Sequence, residues 1–478
     1  MALSEWWSGA RRPPAPDPSL WQLERLDGRL HMDGQDLTEL AARYGTPLYV
    51  ASARVLQARC RELLDALAQY PRPVQVCYSY KTNRVAGVLQ VLHRAGCGAE
   101  VVDEYELRLA RQLEVPADRI VLNGPNKSEA ELVQAVEAGI GLIVVDNLEE
   151  LDRLDQLGAA EGRTVPIALR VCPDVKPRGM NVSSITGSRR TQFGFDLKSG
   201  EATRAVRVAV ARPHLRLRGV MAHIGSGIRD LRSVTRCVER LLDVQLEAAR
   251  AGAEPDLLDV GGGLGTRLSR EFTTWEMLTY LGFGRLPRAP RTAPADLFAR
   301  YGNTVTEAVT EGCNRRGLDL PTLILEPGRA LVSDGQVLLL KVGQVRERPG
   351  VGRFAITDGG AMTVSMMFLS EYHAVLLANR NAPLEGTTTV VGRLPSPMDV
   401  VYRGMPLPRL EQGDLLAVMD AGAYFTATET TFGGPRPAVV LLERGEPRLV
   451  RRRESFEDRV ALDCELRDMA GSDDATHG

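Results

Sequence analysis

The chain has 478 residues, with 59 Lys and Arg against 61 Asp and Glu for a net charge of −2, and it is 44% hydrophobic and 25% charged. That length exceeds what one small core needs, so two domains are the default. Charge of both signs, mixed throughout, argues against a nucleic-acid or membrane surface, and no apolar run is long enough to cross a bilayer.

The opening stretch "MALSEWWSGARRPPAPDPSLW" lacks an apolar core followed by a small-residue cleavage site, so it does not read as a signal peptide. Its proline cluster predicts a flexible arm over residues 1–20. Seven cysteines are scattered singly, and the six histidines are dispersed. This pattern fits a reduced cytoplasm better than a disulfide framework and offers no metal cluster. Residues 21–50 contain the hairpin-like "LWQLERLDGRLHMDGQDL" and are expected to pack partly with the C-terminal domain.

Over residues 51–335 an apolar run ending in a polar residue is followed, again and again, by a helical stretch. The runs are "VQVCYSYK", "AEVVDE", "IVLNG", "LIVVDN", "IALRV", "VMAHIGSG", "LLDVGGG" and "LILEPGR". Eight strand–helix units predict an α/β fold, a closed (β/α)₈ barrel of the TIM type. An open doubly wound sheet would give the same alternation, but the count favours the barrel. One unit carries an insertion, residues 267–294, rich in aromatics, Pro and Arg, on the face where a barrel keeps its chemistry. Residues 336–468 are β-rich without intervening helices and predict a separate all-β domain with a closing helix. Residues 469–478 read as a disordered tail.

In such a barrel the reactive residues stand at the C-terminal ends of strands. Those ends present Lys81, Asp103, Asn123, Asp146, His223 with Ser226, the glycines 261–263, and Glu326 with Arg329. Taken singly, each is ordinary: a strand-end lysine is commonly solvated, a lone histidine is commonly a core residue, and a glycine triplet is commonly a turn. Taken together, they describe one ligand. A lysine desolvated at a barrel mouth has a lowered pKa and forms a Schiff base with an aldehyde. Gly261, Gly262 and Gly263 let backbone N–H groups approach a phosphate, to which Ser226 adds a donor. The flat ring of His223 suits stacking, and Glu326 suits a heteroaromatic nitrogen kept protonated. An aldehyde, a phosphate and a protonated ring nitrogen specify pyridoxal 5′-phosphate.

The motifs also resemble those of the fold type III pyridoxal-phosphate decarboxylases, the diaminopimelate, ornithine and arginine decarboxylases, over about residues 36–465. "YSYKTN" resembles the family's cofactor-lysine motif, "HIGSG" its H-x-G-S segment, "DVGGGLG" its glycine loop and "EPGR" its Glu-Pro-Gly-Arg turn. "DAGAYF" is similar to the β-domain motif whose tyrosine, here Tyr424, reaches the cofactor, and "RRRESFEDRVALD" to the closing helix. The resemblance implies that Lys81 carries the cofactor, His223 stacks on its ring and Glu326 pairs with its nitrogen. It further implies that Ser226, Gly262, Gly263, Gly328, Arg329 and Tyr424 hold the phosphate or line the site, with Arg329, Ser396 and Tyr424 on the substrate side. It also implies a homodimer whose sites are shared between subunits.

Two departures stand out. Where the family has G-P-x-C-E-S-x-D, this chain reads "GRLPSPMD", which puts Pro395 at the cysteine that protonates the substrate carbanion and Ser396 at the acidic residue. Where diaminopimelate decarboxylases carry N-P-R-P, whose arginine helps bind the distal carboxylate, this chain reads "AMTVSMMFLSEYHAV". The arginine position falls near Met366, among Val364, Met367 and Phe368. The reading is therefore an amino-acid α-decarboxylase whose substrate has a neutral, apolar or masked distal end, free or carried as a thioester on a carrier protein. A racemase and a non-catalytic regulatory homologue are the alternatives.

Overall fold

The computed structural model describes residues 16–463. The expectations for the first fifteen residues of the arm and for the tail 469–478 lie outside them. Eight parallel strands close into a barrel: β1 (Val74–Ser79), β2 (Gly98–Val101), β3 (Ile120–Leu122), β4 (Leu142–Val145), β5 (Val165–Cys172), β6 (Leu215–Met221), β7 (Leu257–Asp259) and β8 (Thr322–Leu325). The ring shuts where β8 pairs with β1, Leu325 opposite Val76. Each of the eight strands falls on one of the eight apolar runs, and the open-sheet alternative is excluded.

Alternation along the strands sorts the side chains. Cys77, Val121, Leu142, Val144, Ala168, Met221, Leu257 and Ile324 form a separate cluster, one or two from nearly every strand, which fills the barrel interior. Their neighbours, such as Val76, Tyr78, Val101 and Leu122, join the larger core beneath the helices. Both faces of these strands are thus buried, which is why the runs read as continuously apolar rather than alternating. Some of the helices start on side-chain caps: Ser52 accepts from Val55 N, Asp103 from Glu106 N and Ser128 from Glu131 N.

The second domain is built on the long strand Gln336–Arg348. Beside it lies Leu48–Ser52, antiparallel to Gln336–Leu339 and parallel to Ala438–Leu442. The chain thus contributes a central strand to the C-terminal sheet before it enters the barrel through the helix Ala53–Leu67. The preceding hairpin, Leu23–Leu26 with Arg29–Met32, packs on the same sheet, and Trp21 Nε1 donates to Asp420 Oδ2 at 2.8 Å. The closing segment forms a short helix, Phe456–Val460. Among the described residues, no helix is long and apolar enough to cross a membrane.

Candidate active site

Lys81 is carried on a short 3₁₀ turn, Tyr80–Thr82, immediately after β1. The side chain enters a cavity of about 620 Å³ at the C-terminal mouth of the barrel. His223, Ser226, Gly263, Glu326, Gly328, Arg329 and Tyr424 line the same cavity. Gly262 stands just behind it and donates its N–H to His223 Nδ1 at 3.1 Å. Ser396 is not brought in: it sits in the β-domain loop, where its Oγ accepts from Met398 N. Tyr424 meets the barrel mouth of its own chain, its N–H donating to Thr82 O at 2.8 Å.

The lysine corrects one expectation. Burial works against its ammonium, but the Glu100 carboxylate, 2.8 and 2.9 Å from Nζ, more than offsets that, so its pKa stands above the ordinary lysine value rather than below it. Burial likewise opposes ionised Glu100, and the Lys81 pair overcomes it, leaving that carboxyl below its usual range.

Glu326 is the opposite case. Burial, then the nearby Asp259 and Glu100 carboxylates, push its pKa well above the ordinary carboxylate value, which favours the protonated form. Asn123 Nδ2 donates to its Oε1 at 2.6 Å. Asp259 is pushed up to about 7, chiefly by burial, although Gly261 N donates to its Oδ1 at 2.8 Å. Burial first, then the Lys81 charge, lowers His223 to about 3, so its imidazole is neutral.

Both raised carboxyls bind protons more tightly folded than unfolded. Their contribution to stability is complete at low pH and lost as pH rises through the folded value. Cofactor-free protein is therefore expected to melt a few degrees lower at pH 7.5 than at pH 5. Asp259→Asn should flatten that slope in a calorimetric series; an unchanged slope would refute the assignment.

The glycines are demanded by the chain itself. A Cβ on Gly262 would stand 2.0 Å from Glu326 O, and one on Gly263, whose φ is +92°, would stand 1.9 Å from Gly225 O. The glycine loop thus lies against both the Glu326 backbone and the "HIGSG" loop. Gly262→Ala is expected to destabilise the fold by about 1–3 kcal/mol through overpacking, read as a lower denaturant midpoint. Tyr424 is strained, with φ +63° in the left-handed region that aromatic residues avoid.

Several lining residues escaped the sequence reading: Glu100, Arg170, Glu271 and Glu371. Glu100 had a signal, a charge inside the buried strand "GAEV". Two of the strand-end residues serve elsewhere. Asp103 caps a helix, and Asp146 accepts from Gly194 N and pairs with Arg170 at 3.6 Å. In the altered loop, Met367 faces the cavity. Met366 points outward and Phe368 is buried against Tyr402 and Phe425, which corrects the expectation that those two face the substrate. Asp399 closes the "GRLPSPMD" loop by accepting from Leu394 N and Met362 N, each at 3.0 Å.

A barrel-mouth lysine, a buried carboxyl of raised pKa and a glycine cradle around one cavity define a pyridoxal-type site. The comparisons agree. Residues 54–333 match the model of the pyridoxal-dependent decarboxylase, pyridoxal binding domain. The diaminopimelate decarboxylase of Halalkalibacterium halodurans is 34% identical over 450 residues, 92% of this chain and 97% of the relative. That of Bacillus subtilis is 32% identical over 442 residues, covering 91% and 95%. The crystal structure of diaminopimelate decarboxylase from Methanocaldococcus jannaschii superposes with a TM-score of 0.81 at 30% identity, covering 92% of this chain and 97% of that one. The chain belongs to the pyridoxal-dependent decarboxylases, and its cofactor is pyridoxal 5′-phosphate. The residues present fit that group: a neutral imidazole, a buried carboxyl whose pKa is raised, a lysine, and crossings at Gly263 and Gly328 with no room for a Cβ.

Proposed function

We propose that this enzyme removes the α-carboxylate of an amino acid whose distal end is not a free carboxylate. The observation that carries the substrate reading is charge. The cations lining the cavity among the described residues are Lys81, Arg170 and Arg329, and each is already ion-paired. The relatives named above are diaminopimelate decarboxylases, and their substrate carries a second carboxylate. In this chain an apolar Met367 stands in the altered loop, and a buried carboxylate without a cation loses charge-assisted hydrogen bonds worth roughly 1.5–3 kcal/mol each. A neutral or thioester-masked distal end, free or on a carrier protein, suits the pocket better.

When bound, the cofactor supplies an aldehyde for the substrate amine and a ring that takes up the electrons released with CO₂. Lys81 Nζ would anchor the aldehyde carbon, Glu326, oriented by Asn123, would supply a proton to the ring nitrogen, and the uncharged His223 would lie against the ring. Ser226, Gly262, Gly263, Gly328 and Tyr424 would hold the phosphate, and Arg329 supports Ser226, its Nε 3.4 Å from that hydroxyl. With Pro395 in the cysteine's place, Lys81, held as an ammonium by Glu100, is the proton source for the carbon that has lost CO₂. The chain acts in the cytoplasm as a homodimer, with the Ser396 loop reaching the partner's substrate.

The racemase and non-catalytic readings have less support, because the relatives are decarboxylases and Lys81, Glu326 and the glycine loop are intact. A panel of amino acids given to the cofactor-loaded enzyme should yield CO₂ and an amine in equal amounts. Exchange of the Cα hydrogen without CO₂ would instead establish a racemase.

A further inference from the structure

One wall of the cavity holds two carboxyls facing a single guanidinium. Arg270–Glu271, at the base of the insertion, pairs antiparallel with Glu371–Tyr372, so Glu271 and Glu371 stand directly opposite each other across a two-residue ladder. Like charges in that position repel. The structure holds them together with one cation: Arg329 donates to both oxygens of Glu371, at 2.6 and 2.7 Å, and lies 3.5 Å from Glu271 Oε1. Glu371 is the better-satisfied partner. His373 Nε2 lies 3.2 Å from its Oε2, and its carboxyl is held down at about 2: burial opposes ionisation, but Arg329 and His373 outweigh it. Glu271 is left over. Its Oε2 is buried and has no hydrogen-bond partner; burial, with the Glu371 charge, raises its pKa against the pull of Arg329 and the Ser184 hydroxyl. Two carboxyls and one guanidinium thus leave one acceptor oxygen unused on the wall of the cavity that holds Lys81.

We infer that Glu271 and Glu371 together set the substrate's distal chemistry: Glu371 occupies Arg329 in place of a substrate carboxylate, and Glu271 Oε2 accepts a hydrogen bond from a distal donor, an ammonium, amide N–H or hydroxyl. A buried oxygen without a donor is costly, and a substrate that supplies one removes that cost. A carboxylate at the same place meets Glu271, a like charge, and an arginine already spent. The inference rests on the decarboxylase reading and narrows its substrate class from any distal end that is not a free carboxylate to one that donates.

Two isosteric probes separate the possibilities: L-glutamine and L-glutamate, of equal length and shape, differ in whether the distal end donates. Their dissociation constants for the cofactor-loaded enzyme can be read by calorimetry and by the change in visible absorbance, whether or not either is turned over. Wild-type enzyme should favour glutamine by about tenfold or more. Glu371→Gln, which releases Arg329, should improve glutamate binding by at least about tenfold. Glu271→Gln should weaken glutamine without weakening glutamate, and it serves as the second variant should Glu371→Gln not fold. A wild-type preference for glutamate, or a preference that neither substitution moves, would overturn the inference. Borohydride trapping of the cofactor on Lys81 in the same samples reports separately on the decarboxylase reading. An enzyme that traps cofactor but shows the wrong preference refutes only the present inference.

Discussion

Lys81→Ala should leave a folded protein that binds no cofactor covalently and has lost on the order of 10³-fold or more of its activity, as expected for a group that forms the covalent link. The side chain of Lys81 reaches across the mouth to Glu100 rather than into packed apolar surroundings. Its removal therefore costs an ion pair and not a core contact. Glu100 would then be a buried carboxylate without its partner, and its pKa should rise, since burial would act unopposed by the ammonium. The variant's stability should consequently fall with rising pH more steeply than that of the parent. Circular dichroism would confirm the fold. The visible band and a borohydride-stable adduct, both present in the parent, should be absent. Retention of the adduct would mean that another amine holds the cofactor.

Glu326→Gln should be nearly as damaging. Burial and its acidic neighbours favour the protonated form of the parent carboxyl, so it can bring a proton to a basic ring nitrogen facing it. Glutamine matches its shape and can still accept from Asn123 Nδ2, 2.6 Å away in the parent, but it has no transferable proton. A loss of kcat on the order of 10²- to 10⁴-fold is expected, the range for a positioned acid or base. Substrate KM should change little, because the carboxyl would face the cofactor ring rather than the substrate's distal end. The absorbance maximum of the loaded enzyme should shift as the ring loses its proton. A variant with full kcat and an unshifted spectrum would remove Glu326 from the mechanism.

The barrel was legible because parallel strands buried on both faces leave uninterrupted apolar runs, and eight of them leave few other closures. Lys81, His223, Glu326 and the glycines stood out as candidates because each lies at the end of such a run. The residues that decide specificity were not. Glu271 and Glu371 are a hundred positions apart, in an insertion and an irregular loop, and meet only through a two-residue ladder. Nothing in their local sequence distinguishes them from solvated surface acids. Arg329 was found by its motif, but its bidentate commitment to Glu371 is a tertiary fact. The pKa of Lys81 was misjudged for the same reason: desolvation can be anticipated from a strand end, but the buried carboxylate facing it cannot. The central placement of Leu48–Ser52 in the C-terminal sheet also depends on a pairing between the two ends of the chain.

The most direct measurement is the kcat/KM of the cofactor-loaded enzyme for free meso-diaminopimelate, set beside that for amino acids ending in an amide, amine or hydroxyl, with CO₂ and product followed together. The predicted result is CO₂ release from a donor-ended amino acid with meso-diaminopimelate at least about tenfold poorer, the deficit of one charge-assisted hydrogen bond. Rapid conversion of meso-diaminopimelate to lysine, with the donor-ended amino acids inert, would contradict it.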